Sequence, residues 1–424
     1  MEKIGKYQVV RKLGEGATSE VYLCHDPFAG REVAIKVVFP DALGDDENRN
    51  LFRKLFITEA SLAGKLTHPH IVQIYDAVVD EGISYVVMEY VDGGTLEPHC
   101  NANALLPVEK IVEIVFKCTR ALDFANRAGV IHRDIKPANI LLHGETDIKI
   151  SDFGSALITT SMATQVSGIG SPAYMSPQQI KEHPLTLQTD IYSLGVVMYQ
   201  LLTGQLPFQA SNNFSMMYQI TNVEPQPPSS LRPEIPPAAD RIVRKAMQKE
   251  LEQRYRDWDE FSDDLAGVIS SEQAARKDEF ADSEKFNILR DLPFFGDFGD
   301  AELWEVMRIS SWEYCKPGKA LMFDGQTGDF FCLLASGEVK VIKRGKLLNI
   351  LNAGECFGEM AYISRETGSV RSADVVALSE SRVITIHNED LDRASDICRH
   401  KFDRAFMAIL VDRLSLANTR LIGV

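Results

Sequence analysis

Residues 132–139 read HRDIKPAN, and no other stretch limits what this chain can fold into as strongly. It sets a carboxylate (Asp134), a cation two positions on (Lys136) and an amide oxygen (Asn139) in one short loop. DFG at 152–154 adds a second carboxylate, Asp152, after the strand-like run DIKIS. Upstream, LGEGATSEV (13–21) is a glycine-rich turn between two strand patterns, where small residues let backbone N–H groups come close to phosphates. VAIK (33–36) puts Lys36 on the third strand pattern. Glycine turns join many hairpins, and a strand lysine is usually a solvated charge. The weight lies in the ordered set of four at these separations.

The surrounding patterns divide the chain. The first 40 residues alternate with period two (YQVVRKL, EVYLCHD, REVAIKVVF), which predicts an antiparallel meander. A helical stretch is expected around 50–66, then two strands in IVQIYDAVVD and ISYVVMEYV, then mostly helix from about 104 to 268. SSEQAARKDEFADSEK (270–285) is polar and charged, as a linker or an exposed helix would be. Beyond Leu292-Pro293 short strands return, two of them around the turn Lys343-Arg344-Gly345-Lys346. Near the end, Phe402, Phe406, Ile409, Leu410, Leu414 and Ala417 recur at helical spacing as one apolar stripe.

Composition excludes some classes. A net charge of −15 argues against broad attraction to nucleic acid or anionic lipid. The seven cysteines are scattered without a C-x-x-C, as expected of reduced thiols. MEKIGKYQVV has no apolar signal-peptide core, and the longest apolar stretch, IYSLGVVMYQLLTG (191–204), is short for a membrane span. A cytoplasmic protein is the expectation.

With HRDIKPAN, DFG, VAIK and the glycine turn in hand, residues 5–268 resemble the eukaryotic-type Ser/Thr protein kinases, particularly those of bacteria. The resemblance implies an α+β fold of two lobes, here 1–91 and 92–269, with ATP between them. It implies that Lys36 holds the α- and β-phosphates and pairs with Glu59, that Asp134 accepts the proton of the substrate hydroxyl, and that Lys136 neutralises the transferring phosphoryl and marks Ser/Thr specificity. Asn139 and Asp152 would hold Mg²⁺. Gly14 and Gly16 would cover the phosphates. Met88 would be the gatekeeper, Glu89 and Val91 would read adenine through their backbones, and Leu13, Val21, Ala34 and Leu141 would sandwich the ring. Two positions depart from the family pattern: Ser19 replaces the third glycine, and Gln178 replaces a glutamate that pairs with an arginine, here expected to be Arg254. Thr159, Thr160, Thr164 and Ser167 are candidates for activation-loop phosphorylation, with Arg133 as the cation that would pair with the phosphate.

Residues 286–424 resemble a cyclic-nucleotide-binding domain of the catabolite-activator type, on the strength of PGKALMFDGQTGDFFCLLASGEVKV, LNAGECFGEMAYI and VRSADVVA. This implies a β-roll with flanking helices. In it Glu359 takes the ribose 2′-OH, Arg371 the cyclic phosphate, and Ser372 with backbone amides near Gly358 and Ala361 further oxygens. Arg365, inside a long loop, is a rival to Arg371, and a surface ion pair is the bland reading of Glu359 and Arg371. The whole resembles a kinase acting on a protein substrate with ATP and Mg²⁺ and gated by cAMP or cGMP. The terminal stripe would cap that ligand, join two copies as a homodimer, or simply pack on its own barrel. The alternative is a constitutively active kinase whose barrel is a ligand-free docking or dimerisation module.

Overall fold

The computed structural model describes residues 2–16, 19–38, 63–79, 83–153, 172–273, 281–363 and 370–422. Glu59, Thr159, Thr160, Thr164, Ser167 and Arg365 lie outside the described residues. The chain is an α+β protein of two compact units, Met1–Glu272 and Gln273–Val424.

The first unit opens with six antiparallel strands: β1 (Lys3–Ile4), β2 (Tyr7–Glu15), β3 (Ser19–Asp26), β4 (Arg31–Val38), β5 (Ile74–Val79) and β6 (Ser84–Glu89), in the order β1-β2-β3-β4-β6-β5. Alternation along β4 decides its faces. Val33, Ile35 and Val37 are fully buried with Cys24, Tyr85 and Val87. Ala34 and Lys36 therefore stand on the opposite face. Register carries that face across the sheet, since Gly14 lies opposite Val21, Val21 opposite Lys36, and Ala34 opposite Met88.

Helices make up the rest of this unit. In α1 (Val108–Arg127) fifteen of its residues are buried, Lys117 and Arg120 among them. Lys117 is held by Asp147, and Arg120 by Asp259 and Asp123. Such buried cations persist only with carboxylate partners. The apolar run noted above forms α2 (Leu187–Thr203), buried nearly all round and opened by a Thr186 capping box. A hairpin of β7 (Ile140–His143) and β8 (Asp147–Ile150) lies between α1 and α2 in sequence, and Ile150 forms a parallel bridge with Ile71. The helix Trp258–Gln273 runs into the stretch expected to be a linker, and Asp282–Asp291 begins another helix within it.

The second unit is a β-roll of two antiparallel four-stranded sheets. Its strands are β9 (Ser310–Cys315), β10 (Ala320–Met322), β11 (Phe330–Ser336), β12 (Glu338–Lys343), β13 (Lys346–Asn352), β14 (Cys356–Phe357), β15 (Asp374–Ala377) and β16 (Ser381–His387). The sheet orders are β10-β15-β12-β13 and β14-β11-β16-β9. Met322, Leu334, Val339, Phe357, Val375 and Val383 fill the core between them. The terminal helix Asp396–Ile422 sends Phe402 and Phe406 into an aromatic cluster with Phe294, Phe295 and Phe331 of the same unit. Of the three uses open to the apolar stripe, packing on its own barrel is the one its first two members serve.

Candidate functional site

Two sites take shape, one in each unit. In the first, Lys36 Nζ lies 2.7 Å from Asp152 Oδ1, so residues 116 positions apart meet at one point. Burial would push the Asp152 carboxyl up, but the charge and hydrogen bond of Lys36, with His132 and Lys136 beside it, outweigh burial and hold it below the usual range. Lys136 Nζ donates to Asp134 Oδ2 at 2.7 Å. Asn139 donates through Nδ2 to the Asp134 backbone oxygen at 2.8 Å and to Oδ2 at 3.1 Å. Both amide protons of Asn139 thus serve Asp134, which leaves Asn139 Oδ1 as a lone-pair donor. Ser151 donates its backbone N–H to Asn139 O at 2.8 Å, tying this loop to the residue before Asp152.

The loop is held from below by a residue that sequence reasoning did not single out as functional. Asp190, fully buried in the first turn of α2, accepts the backbone N–H of His132 and of Arg133, each at 2.7 Å. Its signal was a lone carboxylate ahead of an apolar run. Gln179, also missed, donates to Arg133 O at 2.8 Å. Arg133 and Asp152 both take a left-handed backbone, at φ 66° and 62°. Non-glycine residues adopt that conformation at a cost and only where their surroundings enforce it.

The adenine candidates Val21, Ala34 and Met88 share the Lys36 face of the sheet by register, as does the phosphate candidate Gly14, with Leu13 as the bulge residue beside it. Leu141 on β7 bridges to Thr95. Gly16 donates its backbone N–H to Ser19 O at 2.7 Å. Glu89 ends β6 and pairs with Lys149 at 2.9 Å, and Val91 follows, half-buried. Asn139 Oδ1 and the Asp152 carboxylate fit Mg²⁺, a hard cation that takes one or two protein oxygens and completes its shell with phosphate and water.

Arg254 meets Gln178 at 3.2 Å, the expected pairing. Among the described residues it also donates to the backbone oxygens of Gln188, Gln248 and Lys249. Burial pushes Arg254 down to about 10 and neighbouring Lys249 down to about 8. Gln178→Glu should place a carboxylate on Arg254 and raise the melting temperature. Each kcal/mol is worth roughly 2–4 °C in a unit of this size. Between about 8 and the ordinary lysine value the unfolded wild-type chain binds more protons at Lys249 than the folded one, so wild-type stability rises with pH there. The gain from Gln178→Glu is therefore expected to be largest near neutrality and to shrink toward pH 10, as thermal melts at both pH values will read.

In the second unit the candidate Arg371 is buried, with the candidate Gly358 in contact with it. Arg371 Nη1 donates to Gly358 O at 2.9 Å and Nη2 to Phe330 O at 2.6 Å, with the guanidinium 4.5 Å above the Phe330 ring. Its backbone is tied to the facing loop through Gln326 O and the Gly325 N–H. Burial pushes Arg371 down, while Cys332, Asp329 and Glu359 pull it up. Glu359, next to Gly358 in sequence, is itself buried, so neither it nor Arg371 is a surface group. A β-carbon at Gly328 would meet Arg371 Cζ at 2.2 Å, and one at Gly358, where φ is 76°, would meet Arg371 Nη1 at 2.7 Å. Both glycines are required by the arginine's seat. Ala361 sits in the short helix Met360–Ile363 that follows Glu359, and Ser372 is exposed. Tyr362, in that helix, donates to Asp403 of the terminal helix at 3.0 Å.

Residues 7–261 match the family described as protein kinase domain, and residues 312–396 match the cyclic nucleotide-binding domain. The chain is 35% identical over 297 residues to the serine/threonine-protein kinase PrkC of Bacillus subtilis, covering 69% of this chain and 45% of that protein. It is 36% identical over 291 residues to the serine/threonine-protein kinase PknB of Mycobacterium leprae, covering 67% of this chain and 46% of that protein. The chain thus spans less than half the length of the curated relatives it matches. Among the described residues no helix is long and apolar enough to cross a membrane.

Proposed function

The chain belongs to the protein kinase family, and from that premise we propose that it is an ATP- and Mg²⁺-dependent serine/threonine protein kinase whose rate is set by a cyclic nucleotide bound in its second unit. The observation that carries the catalytic part is the convergence of Lys36 on Asp152 and of Lys136 and Asn139 on Asp134. Phosphoryl transfer needs charge neutralisation and alignment more than covalent help. Lys36 supplies the cation for the non-transferred phosphates and Lys136 the one for the phosphoryl in flight. Asp134 aligns the hydroxyl and accepts its proton, while Asn139 Oδ1 and Asp152 would hold Mg²⁺, which would supply neutralising charge for the phosphates. Asp190 and Gln179 act only as positioning residues, through the loop backbone.

For the regulatory part, the support is the buried Arg371, seated on the Gly358 carbonyl next to the buried Glu359. A guanidinium fork matches a phosphodiester anion, and a carboxylate matches a ribose hydroxyl. Arg371 uses two of its five N–H donors on carbonyls, which orients the fork and leaves donors over. Full-length protein incubated with labelled ATP, Mg²⁺ and a mixed basic protein acceptor should yield phosphoserine and phosphothreonine. Phosphotyrosine as the main product would overturn the specificity assigned to Lys136.

A further inference from the structure

We infer that β13 is a self-association edge, along which a second copy of this chain adds its own β13 antiparallel about a two-fold axis at Asn349. β13 is the last strand of its sheet among the described residues, paired with β12 alone. Its exposed side chains are not those of a protected edge. Leu347, Leu348 and Ile350 are 59%, 57% and 40% exposed, with no proline in the strand. Natural edges are commonly blunted by charge, proline or brevity, and an apolar one invites another strand. A β-bulge causes this display. Asn349 pairs with Val341 and Leu347 with Ile342, so Leu348 is the extra residue, and the alternation that would have returned an aliphatic side chain to the core is broken. Leu351, beyond the bulge, does return and is buried.

What favours a second copy is the symmetry of the strand and its charges. LLNIL (347–351) reads nearly the same in both directions about Asn349. Antiparallel pairing there sets Leu348 against Ile350 of the second copy, an aliphatic cross-strand pair on one face, twice. The ends of the strand carry opposite charge. Lys343, Arg344 and Lys346 stand at the hairpin end. At the other end the Glu355 carboxylate accepts the backbone N–H of Asn352 at 2.7 Å, which fixes it beside the strand. Two-fold pairing brings Lys346 of each copy to the Asn352–Glu355 end of the other. A ribbon of seven residues buries less than the ~1,200 Å² of a stable interface, so the dimer is expected to be weak and concentration-dependent. Such pairing puts two phosphotransferase units on one particle, and needs no ligand in the barrel.

The test uses full-length protein. Sedimentation over a concentration series should show a monomer–dimer equilibrium, and Leu348→Asp should abolish it. Lys346→Glu should weaken it by about tenfold, as loss of two exposed ion pairs allows, and Lys346→Glu combined with Glu355→Lys should restore it. Single cysteines at 347, 348, 349 and 350 give the register: Asn349→Cys, on the axis, should cross-link most readily under mild oxidation. Of the seven native cysteines six are buried and Cys100 is half-buried, which keeps the background low. A monomer at every concentration, or a dimer indifferent to Leu348→Asp, overturns the assignment. So does a monomer that instead sediments with phosphatidylserine vesicles through the basic hairpin.

Discussion

Replacing Asp134 by asparagine is expected to slow phosphate transfer to a protein hydroxyl by about 10²–10⁴-fold, the usual worth of a positioned general base. Shape is conserved in this change, and the Asn139 Nδ2 bond to the backbone oxygen of residue 134 survives it. What goes is the charge that Lys136 and the substrate hydroxyl both meet. A rate assay at saturating ATP reads the loss, and a thermal melt checks that the fold is intact. Equal rates for the two proteins would remove Asp134 from the chemistry.

The second large effect belongs to Arg371. Arg371→Ala removes the donor from two carbonyls, those of Gly358 and Phe330, in a buried seat. Each unpaired buried polar group costs about 1–3 kcal/mol, so the second unit should melt several degrees lower. Binding of cAMP or cGMP, followed by calorimetry on full-length protein, should fall by at least about 100-fold, as expected for loss of a buried charged hydrogen-bond partner. Arg371→Lys separates the two effects. It keeps the charge but loses the fork, and it should recover more stability than affinity. Nucleotide binding that survives Arg371→Ala unchanged would place the ligand elsewhere or leave the arginine purely structural.

Much of the first site was legible because its chemistry is local in sequence. Asp134, Lys136 and Asn139 sit within six positions, and the structure closes them on one another through short loop geometry. Period-two alternation also put Lys36 on a strand, while its face is set by burial of Val33, Ile35 and Val37. What was not legible depends on distance along the chain. Asp190 acts on His132 and Arg133 from 58 and 57 positions away, and nothing in its neighbours distinguishes a loop anchor from a helix-opening carboxylate. Gln179 reaches Arg133 across 46. In sequence the β13 edge shows only as half of a hairpin, because the bulge that turns Leu347 and Leu348 outward arises from register with β12 and not from the strand's own pattern. The terminal stripe was legible as a stripe, but its packing partners, Phe294, Phe295 and Phe331, are set by the barrel.

Gating requires that the nucleotide bind two arrangements of the protein with different affinity. The most direct measurement is therefore the rate of phosphate transfer by full-length protein with and without saturating cAMP or cGMP, run beside Arg371→Ala. A nucleotide-dependent change of about fivefold or more in the wild type, the low end of allosteric coupling, and none in Arg371→Ala is the predicted result. Wild-type rates that do not respond to either nucleotide would contradict it.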